Sequence, residues 1–220
     1  MRAALVDRYG PPDTIEVVDH PVPDPAPGEV SVDVVYAGVN YAEVMARRGS
    51  LPVFVPPFIP GLEVSGTVRA VGDAVDGFAV GEPVCALTTR GGYAEVAVAP
   101  AAMTYRLTGS LASDLERAAA MPTIVPTAHA LVHEVARLRA GERVLVHAAA
   151  GGVGTLLGQI ARRSGAGAVF GVVSSQDKAA FATGHGYDEV FVGPDWDAAV
   201  TERTQGRGLD VIFDSVGGEV

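Results

Sequence analysis

Residues 141 to 163 read Gly-Glu-Arg-Val-Leu-Val-His-Ala-Ala-Ala-Gly-Gly-Val-Gly-Thr-Leu-Leu-Gly-Gln-Ile-Ala-Arg-Arg. The glycines Gly151, Gly152 and Gly154 can bring backbone against a ligand with no Cβ in the way. A helix opening beyond them, through Arg163, points its unpaired N–H groups and positive dipole end back at the turn. That combination holds a pyrophosphate, so a dinucleotide cofactor is the first hypothesis, with Ala149, Gly151, Gly152, Val153 and Gly154 as its contacts. A GxGxxG reading through Gly152 and Gly154 puts Leu157 at the third glycine. The spacing Ala148-x-x-Gly151-x-x-Gly154 fits better, with Gly158 one turn further on for close helix–strand packing. The competing reading is a glycine-rich strand–helix turn with no ligand. A strand before the turn, an amphipathic helix after it and a second strand at Ala168–Val173 favour the cofactor.

The end of that second strand bears on which nucleotide is held. A site for the unphosphorylated ribose keeps an acid there to bind the 2′-hydroxyl. Val173 stands at that position, followed by Ser174, Ser175 and Lys178. Two hydroxyls and a cation suit a 2′-phosphate, which makes the cofactor NADPH. Against this, Ser174 and Ser175 could cap the next helix and Lys178 could be a solvated charge. Asp177 weakens the positive field.

Elements to position these residues can be read on both sides. From about Ser110 the chain alternates strand and helix. A helix leads from Ser110 or Ser113 to Met121. Pro122 and Pro126 break it before a second helix over Thr127–Leu138. Strands at 143–147, 168–173, 189–192 and 209–214 then alternate with helices at 152–163, 176–184 and 196–204, the construction of a parallel sheet. Four strands are counted where a doubly wound fold has six, so the second half of the sheet is expected to be incomplete at Val220. Residues 1 to 121 differ. Short strands at Arg2–Val6, Ile15–Asp19, Glu29–Val39, Glu63–Val71, Pro83–Leu87 and Ala94–Val98, with Pro-rich punctuation at 21–28, predict a small β-barrel or sandwich. Asn40 is placed to cap a helix through Arg48, ended by Gly49.

The chain has 220 residues, a net charge of −10, 48% hydrophobic and 19% charged residues. The acidic balance argues against nucleic acid or an anionic membrane as partner, so backbone amides and local cations must hold an anionic cofactor. The single cysteine, Cys85, leaves no internal disulfide and no multi-cysteine zinc site. With no signal peptide and no long apolar run, a cytoplasmic location is expected.

Three blocks carry a resemblance covering the whole chain: Pro60-Gly61-Leu62-Glu63-Val64-Ser65-Gly66-Thr67-Val68-Arg69-Ala70-Val71-Gly72, Gly141 through Gln159 to Arg162, and Gly208-Leu209-Asp210-Val211-Ile212-Phe213-Asp214-Ser215-Val216-Gly217-Gly218. They resemble the medium-chain dehydrogenase/reductase superfamily, and within it the zinc-free quinone oxidoreductases (the ζ-crystallin-like group). The resemblance implies an α/β protein: a GroES-like β-barrel domain at 1–121 and a Rossmann domain, a C-terminally incomplete doubly wound parallel sheet, at 122–220. It implies a zinc-independent, NADPH-dependent oxidoreductase passing hydride to a quinone or α,β-unsaturated carbonyl. Pairing into a homodimer is also implied. Zinc-dependent relatives carry Cys, His and Cys at positions that look like Asn40, Leu62 and Thr123, so no metal is expected.

By the same resemblance Asn40 hydrogen-bonds the nicotinamide ribose or the substrate carbonyl, and Thr127 contacts the cofactor near the nicotinamide. A helix cap would account for either residue equally well. Tyr41 is a proton donor or a packing residue, with packing favoured. Glu63 is expected to make structural hydrogen bonds, and His147 to serve backbone groups near the turn. His129 and His133 have a metal-capable i, i+4 spacing but no third ligand in view. The aromatic that family members often place after the third strand is replaced by Gly193. Two alternatives remain: an enoyl-thioester reductase, free or in a polyketide synthase, and a nucleotide-binding protein without turnover.

Overall fold

A computed structural model describes residues 1–217; Gly218 of the third sequence block and the last two residues of the 122–220 domain lie outside the described residues. The chain forms two compact units that divide after Thr123.

In the first unit, β1 (Arg2–Val6) pairs antiparallel with β2 (Ile15–Asp19). The main sheet contains β3 (Glu29–Ala37), β4 (Glu63–Val71), β5 (Pro83–Leu87), β6 (Val96–Pro100) and β7 (Thr104–Arg106), in the order β6-β3-β4-β5-β7 and antiparallel throughout. Two register shifts in β3 against β4 bend this sheet. It curls around Val30, Val32, Val64, Val68, Val84, Ala86, Ala97 and Ala99, all buried. The alternation of Val30 and Val32 on β3 and of Val64 and Val68 on β4 sends one face inward, as a half-closed barrel requires.

Helix α1 (Tyr41–Arg47) follows β3 with Asn40 as its N-cap, and Gly49 takes a positive φ of 81° just beyond it. In the segment Leu51–Phe58, Leu51, Phe54 and Phe58 cluster with Val6 and Ala46, while Val53 and Val55 are exposed. The helix expected from Ser110 or Ser113 is instead a 3-10 turn over Gly109–Ser113 followed by a short α2 (Leu115–Ala119). Its cap is Asp114, whose carboxylate accepts from the Arg117 N–H at 3.1 Å. A carboxylate at the N-cap satisfies an orphan donor and also suits the helix dipole.

The second unit opens with α3 (Ile124–Ala130), which runs into a π-helical turn at Leu131–Val135. Pro126 lies inside the first turn of α3 instead of breaking it, and Thr127 is a helical residue instead of a cap. The missing N–H of Pro126 costs nothing there, because first-turn N–H groups have no intrahelical acceptor. The sheet comprises β8 (Arg143–His147), β9 (Ala168–Val173), β10 (Glu189–Val192) and β11 (Val211–Phe213), with α4 (Gly152–Arg163), α5 (Gln176–Thr183) and α6 (Trp196–Arg203) as crossovers. The order β10-β9-β8-β11 is parallel at every pairing.

Both faces of this sheet are covered. Val144 and Val146 enter one cluster with Leu157 and Ala161 of α4, while Leu145 enters the opposite one with Phe170, Val172 and Val200. Period-two alternation within an entirely apolar run is what a doubly covered strand needs. β11 is shorter than expected because Asp210 is engaged before it starts. Its carboxylate takes the Arg143 N–H at 2.8 Å and the guanidinium at 2.9 and 3.2 Å, tying the entries of β8 and β11 together. Among the described residues no helix is long and apolar enough to cross a membrane.

Candidate functional site

The turn after β8 is built around close approaches. Ala148 adopts a φ of 52°, and the Gly151 N–H donates back to its carbonyl at 2.8 Å. Gly151 is the N-cap of α4. A Cβ on Gly154 would collide with the Ala148 carbonyl oxygen and lie 2.9 Å from Ala149 Cα, so the helix can start this near the strand only with glycine there. Gly158 makes a second approach, to the loop before β10. A Cβ there would stand 2.6 Å from the His185 carbonyl oxygen and 2.6 Å from the Tyr187 ring. The Tyr187 hydroxyl donates to the Gly154 carbonyl at 2.5 Å, and burial pushes this phenol well above its ordinary range.

Strand order reverses at β8, and dinucleotides bind beyond the carboxyl ends of strands near such a reversal. A cavity of about 810 Å³ opens there, beyond the ends of β8, β9 and β10. Its polar side holds Gly151, Ser174, Asp177 and Lys178; its apolar side holds Val172, Val173, Phe181, Pro194 and Trp196. The Lys178 ammonium donates to Ser174 Oγ at 3.0 Å, so cation and hydroxyl are held together at the rim. The His147 ring meets Trp196 edge-on at 5.0 Å between centroids, an aromatic contact where a role toward backbone groups was expected.

Of the residues chosen from the sequence, Gly151, Ser174 and Lys178 line this cavity. Gly152, Val153 and Gly154 form the first turn of α4 next to it. Ala149 is buried under the turn: its methyl would lie 2.7 Å from a Cβ on Gly171, so Gly171 makes room for it. Ser175 is the N-cap of α5 but makes no side-chain cap bond. Thr127 is exposed on α3. Trp196, Phe181 and Pro194 are not among the residues to which the sequence points. Gly193, with a φ of 90°, turns the chain after β10, and Trp196 follows at the start of α6. An aromatic three residues past the glycine was the available signal.

Asn40 and Tyr41 belong to the first unit. Tyr41 is 70% exposed, so it does not pack as expected. It is the first residue of α1, where the fold offers its ring no apolar cover. Asn40 is held from two sides. Its backbone N–H donates to Glu43 Oε2 at 2.5 Å as part of a capping box, and its Nδ2 donates to Glu63 Oε1 at 2.9 Å. Glu63 Oε2 accepts from the Thr123 N–H at 2.8 Å, and Glu43 Oε1 accepts from the Leu62 N–H at 2.7 Å. The Tyr93 hydroxyl completes the group, donating to Glu43 Oε2 at 2.9 Å. Asn40, Leu62 and Thr123 therefore converge on two buried carboxylates, Glu43 at 6% exposure and Glu63 at 2%.

Desolvation raises the Glu43 carboxyl above its ordinary value, partly offset by the bonds from Asn40, Leu62 and Tyr93. Burial and the Glu43 charge push the Tyr93 phenol up. Cys85 is buried, and desolvation with the nearby Glu63 charge raises its thiol to about 11, which suits an inert core residue. His129 and His133 lie with ring centroids 4.5 Å apart, and among the described residues no group of three His, Cys, Asp or Glu side chains is placed to hold a metal.

Residues 26–109 match the family model "Alcohol dehydrogenase GroES-like domain", and residues 152–220 match "Zinc-binding dehydrogenase". A probable quinone oxidoreductase of Schizosaccharomyces pombe is 35% identical over 96% of the chain, which spans 64% of that relative's length. The quinone oxidoreductase of Pseudomonas syringae pv. tomato superposes with a TM-score of 0.91 at 36% identity, over 99% of this chain and 67% of that one. A mycobacterial protein solved in complex with NADPH superposes with a TM-score of 0.92 at 36% identity, over 99% and 68%.

Proposed function

The chain belongs to the medium-chain dehydrogenase/reductase superfamily, in its quinone-oxidoreductase-like group, and from that premise we propose that it binds NADPH and reduces a quinone or α,β-unsaturated carbonyl without zinc. The observation that carries the cofactor reading is the Lys178–Ser174 pair at the cavity rim, together with valine at the end of β9 where an NADH site keeps an acid. The glycine turn fits the same group: the backbone of Gly151 and the first turn of α4 take the pyrophosphate, where side chains would block approach. Lys178 and Ser174 take the 2′-phosphate. Trp196, Phe181, Pro194 and Val172 cover the base and exclude water from it. The NADPH complex of the mycobacterial relative supports this assignment.

Bound NADPH supplies the hydride for the reduction. Asn40 serves the reaction as a hydrogen-bonding group toward the nicotinamide ribose or the substrate carbonyl. Tyr41, with its exposed hydroxyl, or water supplies the proton that follows. Thr127 contributes a cofactor contact. The proposal of zinc independence rests on the donor set. An amide, an alkyl side chain and a hydroxyl at Asn40, Leu62 and Thr123 are poor zinc ligands. Without a Lewis acid the acceptor must carry its own activation, and the conjugated carbonyl of a quinone or enone takes up the charge itself.

The deciding experiment titrates the chain with NADPH and NADH and follows nicotinamide fluorescence. Selective binding of NADPH is expected. A folded chain that binds neither, or prefers NADH, overturns the cofactor assignment. Acceptors follow: a benzoquinone, a simple enone and an enoyl thioester. Turnover of the thioester alone moves the reading to an enoyl-thioester reductase, and selective binding with no turnover leaves a nucleotide-binding protein.

A further inference from the structure

We propose that Glu63 is a positioning residue that fixes the polarity of the Asn40 amide. This inference rests on the assignment of Asn40 to the reaction. An ionised carboxylate only accepts hydrogen bonds, so whatever faces it must donate. Glu63 Oε1 therefore binds the amino end of the Asn40 amide, at 2.9 Å, and dictates which way the amide lies. Its other oxygen is committed to the Thr123 N–H at 2.8 Å. The carboxylate cannot turn aside: Glu63 is 2% exposed, and Gly38 packs so closely that a Cβ there would stand 2.6 Å from Glu63 Cγ. The Glu43 carboxylate holds the Asn40 backbone N–H independently, so the backbone is fixed by one carboxylate and the amino end of the amide by the other.

The arrangement makes a specific demand that a neutral side chain of the same shape cannot meet. Glu63 presents two acceptors to two donors. Glutamine presents one acceptor and one donor. If its oxygen keeps the Thr123 N–H, its amino group faces the Asn40 amino group, and the Asn40 amide must flip. Flipping exchanges the donor and acceptor that Asn40 offers to cofactor or substrate, with almost no change in volume. A residue that merely fills space would not be sensitive to this exchange; a positioning residue is.

Three proteins test this: wild type, Glu63→Gln, and Glu63→Gln combined with Asn40→Asp. In the last, the carboxylate introduced at position 40 accepts from the amide introduced at position 63, so the hydrogen bond returns with its polarity reversed. The first readout needs no cofactor. In the 15N–1H spectrum of the wild-type chain, one Asn40 side-chain proton is expected shifted downfield and protected from exchange, and in Glu63→Gln that signature disappears. An Asn40 side chain that exchanges freely in the wild type overturns the hold, even if the variant fails to fold.

The second readout is kinetic. Glu63→Gln should lower kcat on the order of tenfold, the scale of one misdirected buried hydrogen bond, with the KM for NADPH changed much less. The double variant should recover thermal stability but not kcat. Recovery of both, or an unchanged kcat in Glu63→Gln, means that Glu63 is structural only. A wild-type chain that binds but turns over no acceptor defeats the proposed activity, and the spectrum still decides the hold.

Discussion

Replacing Lys178 by alanine is the most direct probe of the cofactor cavity, because it removes one charge from a rim that carries little else of that sign. The lysine is exposed, which limits what it can contribute: exposed ion pairs are worth about 0.2–1 kcal/mol. It is also tethered to Ser174 at 3.0 Å and lines the cavity beside it, so part of its ordering is already met before a ligand arrives. Hydrogen bonds to charged groups reach about 1.5–3 kcal/mol. A value between these ranges, roughly 1–2 kcal/mol, translates to about 5–30-fold weaker NADPH binding, at about 1.4 kcal/mol per tenfold. NADH has no 2′-phosphate and should lose under about twofold, as expected for a lone exposed charge. Paired nicotinamide-fluorescence titrations at matched ionic strength measure both. The NADPH advantage should also shrink as salt is raised, because the screening length falls from about 30 Å at 0.01 M to about 10 Å at 0.1 M. Asp177 lines the same cavity and opposes the phosphate, so Asp177→Asn should move the preference the other way. Equal losses for the two nucleotides on removing Lys178, or no loss for either, refute the assignment of the 2′-phosphate to this rim.

Other perturbations have directions fixed by the geometry. Gly158→Ala puts a methyl 2.6 Å from the His185 carbonyl oxygen, and backbone cannot yield as a side chain would; overpacking of this kind costs about 1–3 kcal/mol in urea unfolding. Trp196 is the chain's one tryptophan and lines the cavity, so its emission should fall when NADPH binds, and Trp196→Phe should abolish that signal; unchanged emission at saturation would place the nucleotide elsewhere. Cys85, buried with its thiol raised to about 11, should react with a thiol reagent at pH 8 only as fast as the protein unfolds. Glu43 has a raised folded-state pKa, so the folded chain holds its proton more tightly than the unfolded chain. Stability should therefore fall as pH rises from the ordinary carboxylate value through the raised one, and Glu43→Gln should remove that slope; an identical pH profile in the variant contradicts it.

The parallel sheet was legible because its central strands, β8 and β9, are buried on both faces. Val144-Leu145-Val146 and Val169-Phe170-Gly171-Val172-Val173 are apolar without interruption, and each is followed by a turn and a helical pattern. The curled sheet was legible where side chains alternate, and less so at its margins. β7, Thr104-Tyr105-Arg106, is invisible to pattern because three residues carry no period; it exists through its pairing with β5. The start of α2 is ambiguous in sequence because serine is as good a cap as aspartate in the abstract, and only the Asp114–Arg117 bond separates them. Pro126 is ambiguous for a related reason: proline marks a helix start as readily as a stop, and the turn it occupies depends on residues before it.

The cofactor cavity divides along the same line. Gly151, Ser174 and Lys178 follow a strand end at fixed spacing, so local sequence carries them. Phe181 follows Lys178 by one turn on α5, but Pro194 and Trp196 come from the next crossover and meet them only when β8, β9 and β10 align. Asn40 shows the limit most sharply. As an N-cap it could be read from its neighbours, but its side-chain partner lies 23 residues away on β4. Nothing in the order of amino acids says that Glu63 will be enclosed against Gly38 and supplied with two neutral donors. Once that is seen, two buried carboxylates satisfied by amide and hydroxyl donors become the means by which a neutral residue is aimed. Enclosing such charges is costly, and removing one donor leaves the charge facing a low-dielectric surrounding. The group should therefore respond to small changes in polarity far more than to small changes in size. Glu63→Gln should disturb the Asn40 resonance far more than Cys85→Ala, which trims a buried neighbour that feels the Glu63 charge without changing the donors around it.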